Sequence, residues 1–128
     1  MSFKEFGLAK PIELAIAEKG YNEPTAVQKK AIPLVMRGRD VIVAAQTGSG
    51  KTAGFTLPLL HNLSKGQRVG KSPRALILAP TRELAAQVHS SVTVYGKHLP
   101  FKTCVIFGGV NSKPQIKQLR QGCDIVIA

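Results

Sequence analysis

The stretch VIVAAQTGSGKTAGF, residues 41–55, limits what this chain can become more than any other part of it. Four apolar residues suited to a buried strand run into a loop with two closely spaced glycines. The loop ends on Lys51 and Thr52, at the head of an apolar helical pattern. A loop that wraps phosphate oxygens must turn tightly while presenting backbone N–H groups, and Gly48 and Gly50 permit that turn. A helix starting at Lys51 adds its unpaired N–H groups and positive dipole end. The Lys51 ammonium can then reach the β and γ phosphates, and the Thr52 hydroxyl can ligate Mg²⁺. The common spacing G-x-x-x-x-G-K-[ST] would put glycine at position 45, where this chain has Ala45. A methyl group there costs little if Ala45 keeps a negative φ. The order strand, loop, helix predicts a nucleotide site and is silent about the base.

The rest of the chain repeats that alternation. Unalternating apolar runs at 41–44, 75–79, 103–107 and 124–128 read as buried strands of a mostly parallel sheet. Helical patterns fall between them: 11–20 opened by Pro11, a segment from Thr25 interrupted at Pro33, 51–63 despite Pro58, 82–95 behind a Thr81 cap, and 112–120. The class is α/β, built from β-α-β units. The segment 64–74, SKGQRVGKSPR, is basic, glycine-bearing and without periodicity, which predicts an exposed loop.

A chain of 128 residues with 44% apolar content suits one domain with a core. No apolar run approaches the roughly 20 residues of a membrane span, and MSFKEFGLAK lacks the apolar region of a secretory signal, so a cytoplasmic location without membrane partners is expected. Net charge is +11, with about +3 on residues 1–64 and +8 on 65–128. That excess favours a polyanion such as nucleic acid as partner over mere solubility. Cys104 and Cys123 lack metal-ligand spacing and read as buried thiols, and His61, His89 and His98 carry no assigned chemistry.

Upstream of the phosphate loop, GYNEPTAVQ (residues 20–28) offers what a base would need. The Gln28 amide can donate and accept at once toward the N6 and N7 edge of adenine, and Tyr21 presents a stacking face. By themselves, a core tyrosine and a helix-surface glutamine would be the safer reading. In combination, GYNEPTAVQ, AAQTGSGKTAGFTLPLL, APTRELAAQ and FGGV, in this order, resemble the DEAD-box RNA helicases over essentially the whole chain. The resemblance is nearest to the bacterial RhlE-like subgroup.

That resemblance implies a P-loop NTPase fold of RecA type, a three-layer sandwich, with residues 1–128 forming the N-terminal part of a first RecA-like domain. It implies ATP and Mg as cofactors. Gln28 would read adenine, Tyr21 would pack on the ring, Phe3 would match the upstream aromatic, and Thr25 would tie this segment (the Q motif, residues 3–28) to the loop. Ala45, Gln46, Thr47, Gly48, Ser49, Gly50, Lys51 and Thr52 match the family's A-x-T-G-x-G-K-T. Pro80, Thr81, Arg82, Glu83 and Leu84, with Gly108 and Gly109, would hold one RNA strand by its backbone. The physics agrees, since a helix N-terminus and exposed backbone N–H groups favour phosphate without reading sequence. Without the resemblance, Arg82 would be a solvated charge and Gly108 and Gly109 a turn.

Hydrolysis needs a carboxylate to help hold Mg²⁺ and a group to position water, which the family supplies from D-E-A-D. This chain lacks that sequence, and Asp40 and Asp124 precede their strands, at the wrong edge of a parallel sheet. The resemblance therefore implies a truncated sheet with open edges, on which self-association is a further expectation. Two rivals remain: another P-loop enzyme such as a kinase or DNA translocase, and a basic nucleic-acid-binding module with a relic loop.

Overall fold

A computed structural model describes residues 2–66 and 70–128. Three parallel strands, β1 (Ala75–Ile77), β2 (Thr103–Val105) and β3 (Ile125–Ile127), form a sheet in the order β1-β3-β2. Ala75, Ile125 and Thr103 stand in one row, and Ile77, Ile127 and Val105 in another. Hydrogen bonds carry the ladder further. The Ile106 N–H donates to the Ile127 carbonyl at 2.7 Å, the Ala128 N–H to Ile77 at 2.9 Å, and the Ala79 N–H to Ala128 at 2.8 Å. Three of the expected strand positions are therefore sound, with regular pairing shorter than the apolar runs that produce it.

Five α-helices accompany this sheet: α1 (Lys10–Lys19), α2 (Ala26–Met36), α3 (Lys51–Ser64), α4 (Arg82–Tyr95) and α5 (Ser112–Gln121), of which α4 and α5 lie closest to the strands, α1 and α3 pack on α4, and α2 packs on α3. Successive strand side chains point to opposite faces, and the two faces are covered differently. Ile125 and Ile127 enter a large core with Ile12 of α1, Ile32 of α2, Leu57 and Leu60 of α3, and Val88 and Val92 of α4. Val126 points the other way, into a small cluster with Cys104, Cys123 and Leu119 of α5. The result is three layers, with both cysteines buried.

Two prolines expected to interrupt or kink helices do not end them. α2 runs through Pro33 and α3 through Pro58. Each proline forfeits an N–H bond, at about 3 kcal/mol or more in a helix interior. Burial offsets much of that: full burial of one Ile or Leu contributes roughly 1.5–3 kcal/mol, and Ile32, Leu57 and Leu60 are all completely buried. Side chains also satisfy the helix ends. The Asn62 amide donates to the Val35 carbonyl at 2.9 Å and the Arg74 guanidinium to the Leu63 carbonyl at 2.8 Å. Arg74 thereby closes the segment expected as loop, of which residues 67–69 lie outside the described residues.

Residues 41–44 overturn one expectation. They form no strand; Ile42 is fully exposed and Val43 is 43% exposed. A strand exists only as one side of a ladder, and no neighbouring strand among the described residues reaches this run. At the β1 edge of the sheet, Leu76 and Leu78, on the strand and just beyond it, are exposed as well.

Candidate functional site

The phosphate loop is formed even though the strand before it is not. Gly48 and Gly50 take left-handed conformations, φ 83° and 87°, and Gly50 serves as the N-cap of α3. A Cβ on Gly50 would fall 2.5 Å from the Gln28 Nε2, so glycine is required there twice over. Ala45 has a negative φ, as its tolerance in the loop demands. The Lys51 ammonium donates across the loop to the Ala45 carbonyl. The Ser49 N–H donates to the Gln46 carbonyl at 3.2 Å, while the Ser49 hydroxyl is buried with no hydrogen-bond partner among the described residues. Gln46 and Thr47 are exposed, and Thr52 is half-buried at the first turn of α3.

Beside the loop lies a cavity of about 270 Å³ lined by Phe3, Tyr21, Glu23, Thr25, Gln28, Gly48, Gly50, Ala53 and Tyr95. Phe3, Tyr21, Thr25 and Gln28 thus meet Gly48 and Gly50 in one place, while Ala45, Gln46, Thr47, Ser49, Lys51 and Thr52 lie outside its lining. Thr25 caps α2: its hydroxyl accepts the Gln28 N–H at 3.3 Å while the Gln28 Oε1 accepts the Thr25 N–H at 3.0 Å. The other end of the same amide donates to the Gly50 carbonyl at 3.2 Å. Gln28, buried rather than on the helix surface, therefore makes the hydrogen-bonded tie between this segment and the loop. Thr25 sits against Gly50 without such a bond among the described residues. Tyr21 is half exposed, as a stacking face must be. Phe3 is buried in a short 3₁₀ turn, Phe3–Phe6, edge-on to Phe6 with ring centroids 6.0 Å apart.

Sequence reasoning missed Glu23, Ala53 and Tyr95 in this cavity. Tyr95 ends α4 and follows its apolar stripe, so it reads as core; only the packing of α4 beside α3 brings it to the loop. Burial, and secondarily the phenol of Tyr21, push its hydroxyl up to about 12, so it stays protonated.

A second cavity, about 250 Å³, opens where the strands end, and its lining includes Pro80, Thr81, Arg82, Phe107, Gly108 and Ala128. It shares no lining residue with the first. The Thr81 hydroxyl accepts the Leu84 N–H at 3.1 Å and starts α4. The exposed Arg82 guanidinium donates to the Gly108 carbonyl at 2.6 Å. Gly109 has φ 73°, and a Cβ there would come within 2.8 Å of the same guanidinium. Glu83 and Leu84 face solvent. Also missed in the sequence was Gln115 of α5, whose Oε1 accepts the Phe107 N–H at 2.6 Å. A glutamine three positions into a polar helix gives no local signal of that kind.

Neither aspartate belongs to these sites. Asp40 precedes the unpaired run, and Asp124 is buried before β3, where its carboxylate accepts the Lys102 N–H at 2.9 Å.

Residues 25–128 match the family model described as DEAD/DEAH box helicase. The chain is 46% identical over 127 residues to the ATP-dependent RNA helicase DBP10 of Scheffersomyces stipitis, covering 99% of this chain and 14% of that protein. It is also 46% identical over 127 residues to the ATP-dependent RNA helicase DeaD of Escherichia coli K12, covering 98% of this chain and 20% of that protein. Among solved structures, an ADP-bound RNA helicase from Chaetomium thermophilum superposes with TM-score 0.88 at 42% identity, over 99% of this chain and 31% of that one. A hypothetical ATP-dependent RNA helicase from Sulfolobus tokodaii gives 0.80 at 36% identity, over 94% and 34%. The chain thus spans between about a seventh and a third of the length of these proteins. It belongs to the DEAD/DEAH box helicase family, and its fold is that of a RecA-like helicase domain.

Proposed function

We propose that this member of the family binds ATP and the backbone of RNA, and that it serves an ATP-dependent RNA helicase whose nucleotide-driven closure on RNA separates short duplexes. One observation carries the reading: Phe3, Tyr21, Thr25 and Gln28 converge with Gly48 and Gly50 on a single cavity at the start of α3. A chance G-x-G-K-T would have no reason to be hydrogen-bonded to an upstream glutamine. The names of the relatives, and the ADP held by the structural neighbour, support the same nucleotide and substrate.

The residues present fit ATP and Mg²⁺. Gly48 and Gly50 take the left-handed conformations that a tight loop needs, a Cβ on Gly50 would meet the Gln28 amide, and the buried Ser49 hydroxyl lacks a partner within the loop. Lys51, its ammonium resting on the Ala45 carbonyl, would exchange that acceptor for phosphate oxygens, and the Thr52 hydroxyl would face the metal. Bound Mg²⁺ would neutralise charge on the phosphates. Gln28 would read adenine, with Tyr21 against the ring. At the other cavity, Arg82, Gly108 and Gly109 would take RNA phosphates, with Pro80, Thr81 and Glu83 shaping the turn that presents them. The chain carries no D-E-A-D sequence, so hydrolysis is proposed only where that motif accompanies these residues. These 128 residues alone should give no RNA-stimulated phosphate release.

Competition of ATP and GTP against a fluorescent nucleotide, with and without Gln28→Ala, tests the reading. A preference for ATP that disappears in the variant is expected; equal competition by both in the unaltered chain would point to a different P-loop protein. Kinship to the RhlE-like subgroup is proposed on motif wording, and a cytoplasmic setting from the substrates. Self-association through the uncovered Leu76, Leu78 and Ile42 belongs to the same reading, and a monomer by light scattering at high concentration would remove it.

A further inference from the structure

We infer that Gln115 is the positioning residue that sets the Gly108–Gly109 loop for RNA phosphate, an inference that rests on the RNA-binding reading above. Its side chain bridges the two ends of that loop. The Oε1 accepts the Phe107 N–H at 2.6 Å, just before the glycines, and the Nε2 donates to the Asn111 carbonyl at 3.3 Å, just after them. Both polar ends of one half-buried amide are thus spent on a span of five residues.

The bridge matters because of what the glycines lack. Gly108 and Gly109 are exposed, carry no side chain to anchor them, and follow the last ladder bond of β2, from Ile106. Backbone N–H groups hold phosphate well only when they already converge, since ordering a glycine pair on binding is costly. Arg82 pins the middle of the span through the Gly108 carbonyl. Its guanidinium, however, is exposed and is itself a candidate phosphate ligand, so a bound strand can draw it away. Gln115 is the neutral partner that stays. Asn111 reinforces the far end by accepting the Lys113 N–H at 3.0 Å, which starts α5. The loop is therefore held from α4 on one side and α5 on the other.

The test compares Gln115→Met, which keeps length and packing but removes the donor and the strong acceptor, with the unaltered chain. Amide resonances are followed while single-stranded oligouridylate is added. The Gly108 and Gly109 amides should shift on RNA addition in the unaltered chain. In Gln115→Met the Phe107 amide should exchange faster, and RNA affinity should fall about tenfold, the order expected for losing one charge-assisted hydrogen bond. Fluorescent nucleotide binding should not change, which a general loss of folding would not allow. RNA affinity and glycine shifts unchanged in the variant would overturn the inference while leaving RNA binding intact. No RNA-dependent shift at Gly108 and Gly109 in the unaltered chain would overturn the RNA reading, and the inference with it.

Discussion

Residues 41–52 and residues 75–82 are written in the same grammar, an apolar run leading through a turn to the N-terminus of a helix, yet they fold differently. In the second, Ala75–Ile77 pairs with β3 and delivers Thr81 and Arg82 to the start of α4. In the first, α3 and its glycine turn form while the run before them stays unpaired and exposed. Helix starts need only local donors and acceptors plus one packed face, and α3 has that face in Leu57 and Leu60. Strands need a partner that is remote in sequence. A glycine turn at the head of a helix can therefore form where the strand before it does not.

The sharpest way to break the comparison is through the core that both regions share. Ile125→Ala empties a completely buried site between the sheet and α3, and should cost about 2–5 kcal/mol in denaturant unfolding. If the loop truly depends on α3 packing, nucleotide binding and sheet protection in hydrogen exchange should be lost together; retention of nucleotide binding by a molten sheet would separate them.

Next in size is Gly50→Ala. It forces a left-handed residue against the Gln28 amide, and strain of that kind costs of order 1–3 kcal/mol, so fluorescent-ATP affinity should drop up to about 100-fold. RNA binding by the chain without nucleotide should be untouched. Smaller still, Gln28→Ala removes both the bond to Gly50 and the amide proposed to read adenine, each worth about 1 kcal/mol, and should weaken ATP by roughly tenfold and GTP, which loses only the loop tie, by less.

The smallest effect is set by pH. The Ala9 N–H donates to Nδ1 of His61 at 3.0 Å, which requires the ring to be neutral at that atom, and burial followed by the charge of Lys65 holds its pKa below the ordinary 6.5. A pKa depressed on folding means the unfolded chain binds the proton more readily. The stabilisation is thus full above about pH 6.5 and is lost as pH falls through the folded value. The melting temperature should decline more between pH 7 and 5 in the unaltered chain than in His61→Asn, whose amide oxygen can accept the same N–H without titrating. Parallel declines would show that α1 does not hang on His61.

Much of the fold was legible because its signals are local. α4 matches its expected bounds, since a Thr81 cap, an apolar stripe and Gly96 after Tyr95 mark both ends. The strands read correctly wherever a partner run lay elsewhere in the chain, and failed at 41–44, where hydrophobicity announced burial but could not name a partner. The first cavity was legible at Tyr21, Thr25 and Gln28 because they fall within the nine positions 20–28. Tyr95 and Gln115 were not, because their roles arise from helix packing across the fold rather than from their neighbours in sequence.

Asp124 holds a consequence of a different sort. Its carbonyl accepts the N–H groups of Arg74 and Ala75, its own N–H donates to the Lys102 carbonyl, and its carboxylate accepts the Lys102 N–H. One residue thus fastens the starts of all three strands. Because strand side chains alternate, sliding β3 by a single residue would turn Ile125 and Ile127 out of the large core and Val126 into it. The same slip would carry the buried carboxylate away from the Lys102 N–H and the Asp124 carbonyl away from Arg74 and Ala75, so Asp124 works as a reading-frame mark for the sheet.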